Sequence, residues 1–140
     1  MKIVDSSKAP SKAEEIALMG DVVVGLMVSN LQAHALHLSV TGEGSYARHK
    51  ALNEYYDAVP DVTDKIAEDA QGHYEQLLDL KNPSPVEIPE SVEAFVNDLN
   101  NLYIIISKAH SMTMCTAIQT VLDDAKSLIN STKYKLLFLK

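Results

Sequence analysis

Four side chains in the first half of the chain have the types and the spacing of metal ligands: two imidazoles and two carboxylates. His37 and His49 lie almost symmetrically about a glycine-marked turn at 41–44, so antiparallel helices on either side would bring the two imidazoles level. Asp64 and Glu68 are spaced i,i+4, which places both carboxylates on one face of a helix. Such nitrogen and oxygen donors suit a hard or borderline metal ion.

Two predicted helices hold these ligand candidates. Ser11 followed by Glu14 is a capping-box pattern, and it predicts a helix over 12–39 that is apolar around more than half of its circumference. A second helix is predicted over 45–80. Pro60 lies inside this helix, and proline removes a backbone hydrogen bond and clashes with the preceding turn. We therefore expect a kink or a short break at 58–60.

Two further helices are predicted in the second half of the chain. A proline-rich breaker lies at 82–85, and Ser91 is a good N-cap for a helix with apolar residues at i, i+3, i+4 and i+7. A weakly marked break near 110–113 separates it from the last helix. No segment has a convincing strand pattern. The sequence thus predicts an all-α four-helix bundle over 11–140, after a flexible tail at 1–10.

Size, charge and cysteine content limit the classes of function. The chain has 140 residues and a net charge of −7, so we expect one domain and no strong DNA binding, which needs clustered Lys and Arg. Cys115 is the only cysteine, which fits a reducing compartment. No apolar signal core is visible, and no apolar run approaches the ~20 residues of a spanning helix. We expect a cytoplasmic protein with no membrane contact.

The imidazoles and the carboxylates are too far apart to hold one metal ion within one chain. His49 and Asp64 are 15 residues apart. On a straight helix this separation is roughly 22 Å, whereas a metal ion keeps its ligands within about 2–2.5 Å. A two-fold dimer would solve the problem twice, by pairing the imidazoles of one subunit with the carboxylates of the other. A metal site in this protein is therefore predicted to be intersubunit, and a dimer is the smallest complete unit.

The run HLSVTGEGSYARHKALNEYYDAVPDVTDKIAE at 37–68 resembles the Dps family, the miniferritins. That family has a His, a second His twelve residues on, an Asp twenty-seven on and a Glu thirty-one on, which here are His37, His49, Asp64 and Glu68. The resemblance implies a ferritin-like bundle in a dodecameric shell. It also implies iron as the metal, with zinc as a substitute, and ferroxidase activity at a dinuclear site, typically with hydrogen peroxide. This run and INSTKYKLLFL look closer still to small phage-encoded miniferritin-like proteins of poorly defined function, which would act in the host cytoplasm.

The chain departs from the Dps pattern at several positions. Asn53 stands where the family often has an Asp, and it is a weaker, neutral ligand. Asp57, one turn further on, is a candidate to replace it. Leu38 stands where the family usually has Trp, and Pro60 is not part of the expected pattern. The lysine-rich DNA-binding tail of some family members is nearly absent.

These departures support a second interpretation that the sequence does not exclude. The protein would then be a non-catalytic helical oligomer of phage type, which keeps the fold as a scaffold or holds a small ligand. Ferroxidase activity, and with it the classification as an enzyme, stays open between the two interpretations. The native metal, the oxidant and the number of subunits are not fixed by the sequence.

Overall fold

The chain folds into four α-helices in the computed structural model, which describes residues 9–81 and 84–140. The helices are α1 (Lys12–His37), α2 (Ser45–Tyr74), α3 (Val92–Met112) and α4 (Thr116–Phe138). No strand occurs in the described ranges. The predicted all-α four-helix bundle is confirmed. Most of the predicted tail, residues 1–8, lies outside the described residues.

The connection between α2 and α3 gives the bundle its topology. Arg48 near the start of α2 pairs with Glu93 in the first turn of α3, with 2.8 Å between the guanidinium nitrogen and the carboxylate oxygen. The two helices therefore start at the same end of the bundle, so the chain must return along the bundle between Tyr74 and Val92. The described part of this connection is 75–81 and 84–91 (the crossover). The main helix contacts join α1 and α4 each to α2 and α3, so α1 lies diagonally opposite α4. One long crossover is the connectivity of ferritin-like bundles.

Two helix starts follow the predicted capping residues. The Ser11 hydroxyl accepts a hydrogen bond from the backbone N–H of Glu14 at 3.1 Å. The Ser91 hydroxyl accepts one from the N–H of Ala94 at 3.0 Å. Each serine satisfies a backbone donor that has no partner inside the first turn of its helix. These caps fix where α1 and α3 begin.

Helix α2 continues through Pro60, so the short break considered from the sequence is wrong. Proline has no N–H to donate to the carbonyl of Tyr56, one turn earlier. The side-chain amide of Asn30 on α1 donates to that carbonyl instead, at 2.7 Å. The neighbouring helix thus replaces the one bond that the proline removes. α2 ends at Tyr74, short of the predicted 80, where Glu75 adopts a left-handed backbone with φ 54°.

Helix α1 has an apolar inner face and a partly apolar outer row. Among the described helices it alone is long and apolar enough to cross a membrane, but half of that stretch is buried in the bundle, as in any core helix. Its outer row consists of Met27, Leu31 and His34, spaced one turn apart, and Leu38 at the C-cap continues it. Leu31 is 50% exposed and Leu38 is 75% exposed. The outer row is an apolar surface that no described residue covers fully.

Candidate metal site

His37 and His49 each hydrogen-bond through the ring to the backbone carbonyl of the other (the reciprocal lock). Nδ1 of His37 lies 2.8 Å from the carbonyl oxygen of His49, and Nδ1 of His49 lies 2.8 Å from the carbonyl oxygen of His37. A carbonyl oxygen only accepts hydrogen bonds, so both Nδ1 atoms must be the protonated donors. In the neutral rings Nε2 then keeps its lone pair on both histidines. This arrangement, a ring fixed through one nitrogen with the other free, is typical of metal-binding histidines.

The lock depends on where the two helices end and begin. His37 is the last residue of α1, and the last carbonyls of a helix have no partner within it. The His37 carbonyl is therefore free to accept from His49. The two rings stack with centroids 3.6 Å apart and planes 20° apart. The sequence prediction that the turn at 41–44 brings the imidazoles level is confirmed. His37 is buried and His49 is half-buried.

Two more rings extend the pair into a cluster, and the sequence reading missed them. His34 stacks on Tyr56 with centroids 4.2 Å apart, and Tyr56 meets the ring of His37 edge-on at 5.1 Å. His34 lies three residues before His37, so it shares a helix face with it. That spacing is the signal that could have placed His34 near the site. Tyr56 sits between α1 and α2 and joins the imidazoles to the polar side chains further along α2.

The two weak ligand candidates are bonded to each other. The amide nitrogen of Asn53 donates to a carboxylate oxygen of Asp57 at 2.6 Å. The hydroxyl of Tyr56 donates to the amide oxygen of Asn53 at 3.2 Å. Both ends of the Asn53 amide are therefore engaged, and its oxygen already accepts one bond. For either residue to bind a metal, this chain of hydrogen bonds would have to rearrange.

Asp64 and Glu68 are exposed side chains one turn apart on α2. Asp64 lines a pocket of about 200 Å³ together with Met27, Asn30 and Pro60. α2 is unbroken over the 15 residues between His49 and Asp64. The helical rise therefore still separates the two by roughly 22 Å.

A single chain offers pairs of ligand candidates but no complete site. In the part of the chain that the structure describes, no three or more His, Cys, Asp or Glu residues stand close enough to hold a metal ion. The structure brings His37 and His49 together, and it does not bring them to Asp64 and Glu68. Metal binding by these four residues, and by Asn53 or Asp57, stays a prediction.

Comparison with known proteins finds a family of unknown function and a relative from a phage. Residues 37–136 match the profile of a family of unknown function, DUF5856. The chain is also 28% identical, over 142 residues, to an uncharacterised 14.6 kDa protein from the mobD–ri intergenic region of Enterobacteria phage T4. That alignment covers 97% of this chain and 98% of the phage protein. The phage relative agrees with the expected phage likeness, whereas neither description mentions iron or supports membership of the Dps family.

Proposed function

The chain belongs to the DUF5856 family, and we propose that it is a miniferritin-like protein that binds and oxidises ferrous iron between two copies of itself. The reciprocal lock between His37 and His49 is the observation on which this proposal rests most. Burial alone would not require both Nδ1 atoms to be held by backbone carbonyls. The lock fixes two nitrogen lone pairs in advance, and this lowers the conformational cost of binding a metal ion.

The two half-sites lie on α1 and α2, the pair of helices with the most extensive contact in the bundle. His37 and His49 are near the α1–α2 turn, and Asp64 and Glu68 lie further down α2. The outer row of α1 lies between the two half-sites. Met27 lines the same pocket as Asp64, and His34 belongs to the histidine cluster. A two-fold axis would set the imidazoles of each copy against the carboxylates of the other. It would also cover the apolar outer row.

The donor set suits iron. Two imidazole nitrogens and two carboxylates can hold Fe²⁺, and the carboxylates favour the more highly charged Fe³⁺. As substrate, each Fe²⁺ gives one electron to an oxidant, so two ferrous ions reduce one hydrogen peroxide to two waters with the uptake of two protons. Glu68 is the proposed bridge between two ions. Zinc would occupy the same ligands without redox chemistry. In a phage-infected cell the protein would act in the host cytoplasm as a homo-oligomer, in the dodecameric shell that the resemblance to the Dps family implies.

A second candidate function is a non-catalytic oligomer, and one observation favours it. Asn53 already uses both ends of its amide, and Asp57 holds one of them. A second iron position then has fewer free ligands than the first. Such a protein would bind one metal ion per half-site pair, or none, and would keep the bundle as a scaffold or a small-ligand carrier.

A complementation experiment tests the proposal. Fe²⁺ oxidation by hydrogen peroxide is followed through the ferric absorbance for wild type, His49→Ala and Glu68→Ala. Each variant alone should lose activity, since each damages both sites of a homodimer. Mixed dimers of the two variants contain one doubly damaged site and one intact site, so mixing should restore up to half of the activity per mixed dimer.

The matched control is His73→Ala, which removes an exposed imidazole of α2 that lies outside the cluster. It should oxidise iron at the wild-type rate. Equal rates of Fe²⁺ oxidation by wild type, His49→Ala and Glu68→Ala would contradict the proposal. Loss of activity that mixing does not restore would place the site within one chain. Protein that contains no iron after ferrous loading would favour the non-catalytic oligomer.

A further inference from the structure

The outer face of α4 changes character in its last two turns. Along most of the helix the outward positions are polar, as at Asp124, Ser127 and Ser131. From Tyr134 onward they are apolar. The outward residues of this end are Tyr134, Leu137 and Phe138, exposed by 56%, 51% and 70%. Their i, i+3, i+4 spacing makes one continuous apolar strip. Exposure of such a strip to water is unfavourable, and a contiguous exposed apolar patch usually marks an interaction surface.

The same end of the chain, residues 133–140 (the α4 end), is basic. Residues 125–140 contain four lysines and no acidic residue, in a chain whose net charge is −7. Lys135 is paired with Glu54, with 2.6 Å between nitrogen and oxygen. Lys133 and Lys140 form no ion pair with any residue that the structure describes. The strip thus joins apolar side chains to unpaired positive charge, and its partner should be apolar with a negative rim.

A groove of this chemistry lies on the opposite side of the bundle. It has a volume of about 1010 Å³ and runs between the crossover and the helices α1 and α3. Its apolar wall is formed by Val28, Val86, Ile88 and Ala94. Its acidic rim is formed by Glu87, Glu90 and Asp98. The crossover is held over α1 by a hydrogen bond from the Gln32 amide to the Glu87 carbonyl at 2.9 Å. This bond uses the backbone carbonyl of Glu87 and not its carboxylate.

The groove cannot be filled by the α4 end of its own chain. That end packs beside the α1–α2 turn, where Lys140 and Leu137 line a pocket together with Gly44. The groove faces the α1–α3 side, and α1 lies diagonally opposite α4. The complementary charge and the complementary apolar surfaces therefore belong to two different molecules.

We propose that the α4 end of one copy docks into the crossover groove of a second copy, head to tail, as a helix end in an apolar groove. The contact is heterologous, so repetition closes into a ring or shell, or extends as a filament. It uses none of the metal-ligand candidates and stands independently of the proposed function. Combined with a two-fold contact through α1 and α2, it would build an assembly larger than a dimer.

Charge reversal with mixing tests this contact. Lys133→Glu with Lys140→Glu makes the α4 end acidic, and Glu87→Lys with Glu90→Lys makes the groove basic. Mass is measured by sedimentation velocity and light scattering. Wild type should exceed a dimer, and each double variant alone should assemble at least about tenfold more weakly, because like charges then meet. An equimolar mixture should recover the wild-type mass, since each altered end then meets an oppositely charged groove.

Lys108→Glu, an exposed charge reversal on α3, is the matched control and should assemble as wild type does. Phe138→Asp tests the apolar part and should assemble like the charge variants. The proposal is overturned if wild type is no larger than a dimer, or if mixing restores nothing. It is also overturned if the α4 variant keeps its mass but loses binding to anionic phospholipid vesicles, since the end would then serve a membrane surface. The mixed-dimer oxidation experiment tests the metal ligands and does not depend on this contact, so the two proposals can fail independently.

Discussion

Asn30 compensates for the backbone hydrogen bond that Pro60 removes from α2. The Asn30 amide is bonded to the Tyr56 carbonyl that Pro60 leaves without a donor. Asn30→Ala should lower the free energy of unfolding by about 1–3 kcal/mol, because a part-buried carbonyl loses its partner. In a Pro60→Ala background the new N–H replaces that partner, and the same substitution should cost about 1 kcal/mol less. Urea unfolding of the four proteins measures this coupling, and equal costs in both backgrounds would contradict it.

Tyr55 should make the stability depend on pH in the alkaline range. Burial raises the pKa of Tyr55 to about 12, while the hydrogen bond with Ser29 opposes this rise. Because the folded-state pKa lies above the unfolded value of about 10, the stabilisation is complete below pH 10 and is lost as pH rises towards 12. The full loss for this one group should be on the order of 2–3 kcal/mol, and about half of it should be reached by pH 11.

The matched variant for this prediction is Tyr55→Phe. In Tyr55→Phe the Ser29 hydroxyl can donate to the Leu26 carbonyl, 2.7 Å away, so the substitution leaves no buried donor unpaired. Urea unfolding of both proteins at pH 9 and pH 11 separates this group from the other tyrosines, which titrate in both. A wild-type protein that loses no more stability than Tyr55→Phe would refute the assignment.

The ligand candidates could be predicted from residue types and spacing, but their bonding could not. The symmetry of His37 and His49 about the turn predicted that the rings would be level, and they stack. The exchange of Nδ1–H bonds with carbonyls depends on the approach of two helices, which no local pattern encodes. The hydrogen bond between Asn53 and Asp57 could have been predicted from their i,i+4 spacing. Such a prediction would have shown that this bond competes with metal binding by the same two side chains.

At the scale of elements, the helices follow from local signals and their boundaries follow from tertiary contacts. Ser11 and Ser91 predicted two helix starts, and both serines are caps. Pro60 suggested a break that does not occur, because the compensating amide lies 30 residues earlier on another helix. The direction of α3 likewise could not be read from the sequence. It depends on the crossover, which spans the bundle instead of making a tight turn.

The packing of α1 against the start of the crossover gives a prediction with an internal control. A Cβ at Gly20 would lie 2.7 Å from the carbonyl oxygen of Asp79, which is backbone and cannot rotate away. Gly20→Ala should therefore destabilise the bundle by about 1–3 kcal/mol. Gly72→Ala on α2 meets nothing within 4 Å and should stabilise it by about 0.5–1 kcal/mol through helix propensity. Thermal unfolding compares the two, and shifts in the same direction would contradict the described contact.

At the scale of the whole molecule, the apolar outer row of α1 should control both assembly and iron oxidation. Leu31→Asp places a charge in the proposed two-fold contact and should weaken the dimer at least about tenfold, with a parallel loss of ferrous oxidation. Ile104→Asp is the control, since Ile104 is 65% exposed on α3, away from that row. Light scattering and oxidation assays read both effects. A Leu31→Asp dimer of undiminished affinity would show that the row lies outside the interface.

The hydrogen bond from Asn30 to Tyr56 also has an evolutionary consequence. Two positions that are distant in the chain should therefore vary together, because the amide at 30 offsets the hydrogen bond that the proline at 60 removes. In homologues with a residue other than proline at position 60, selection on position 30 should relax, and side chains without an amide should appear there. Paired replacement at 30 and 60 would then be the trace of this bond in an alignment of relatives.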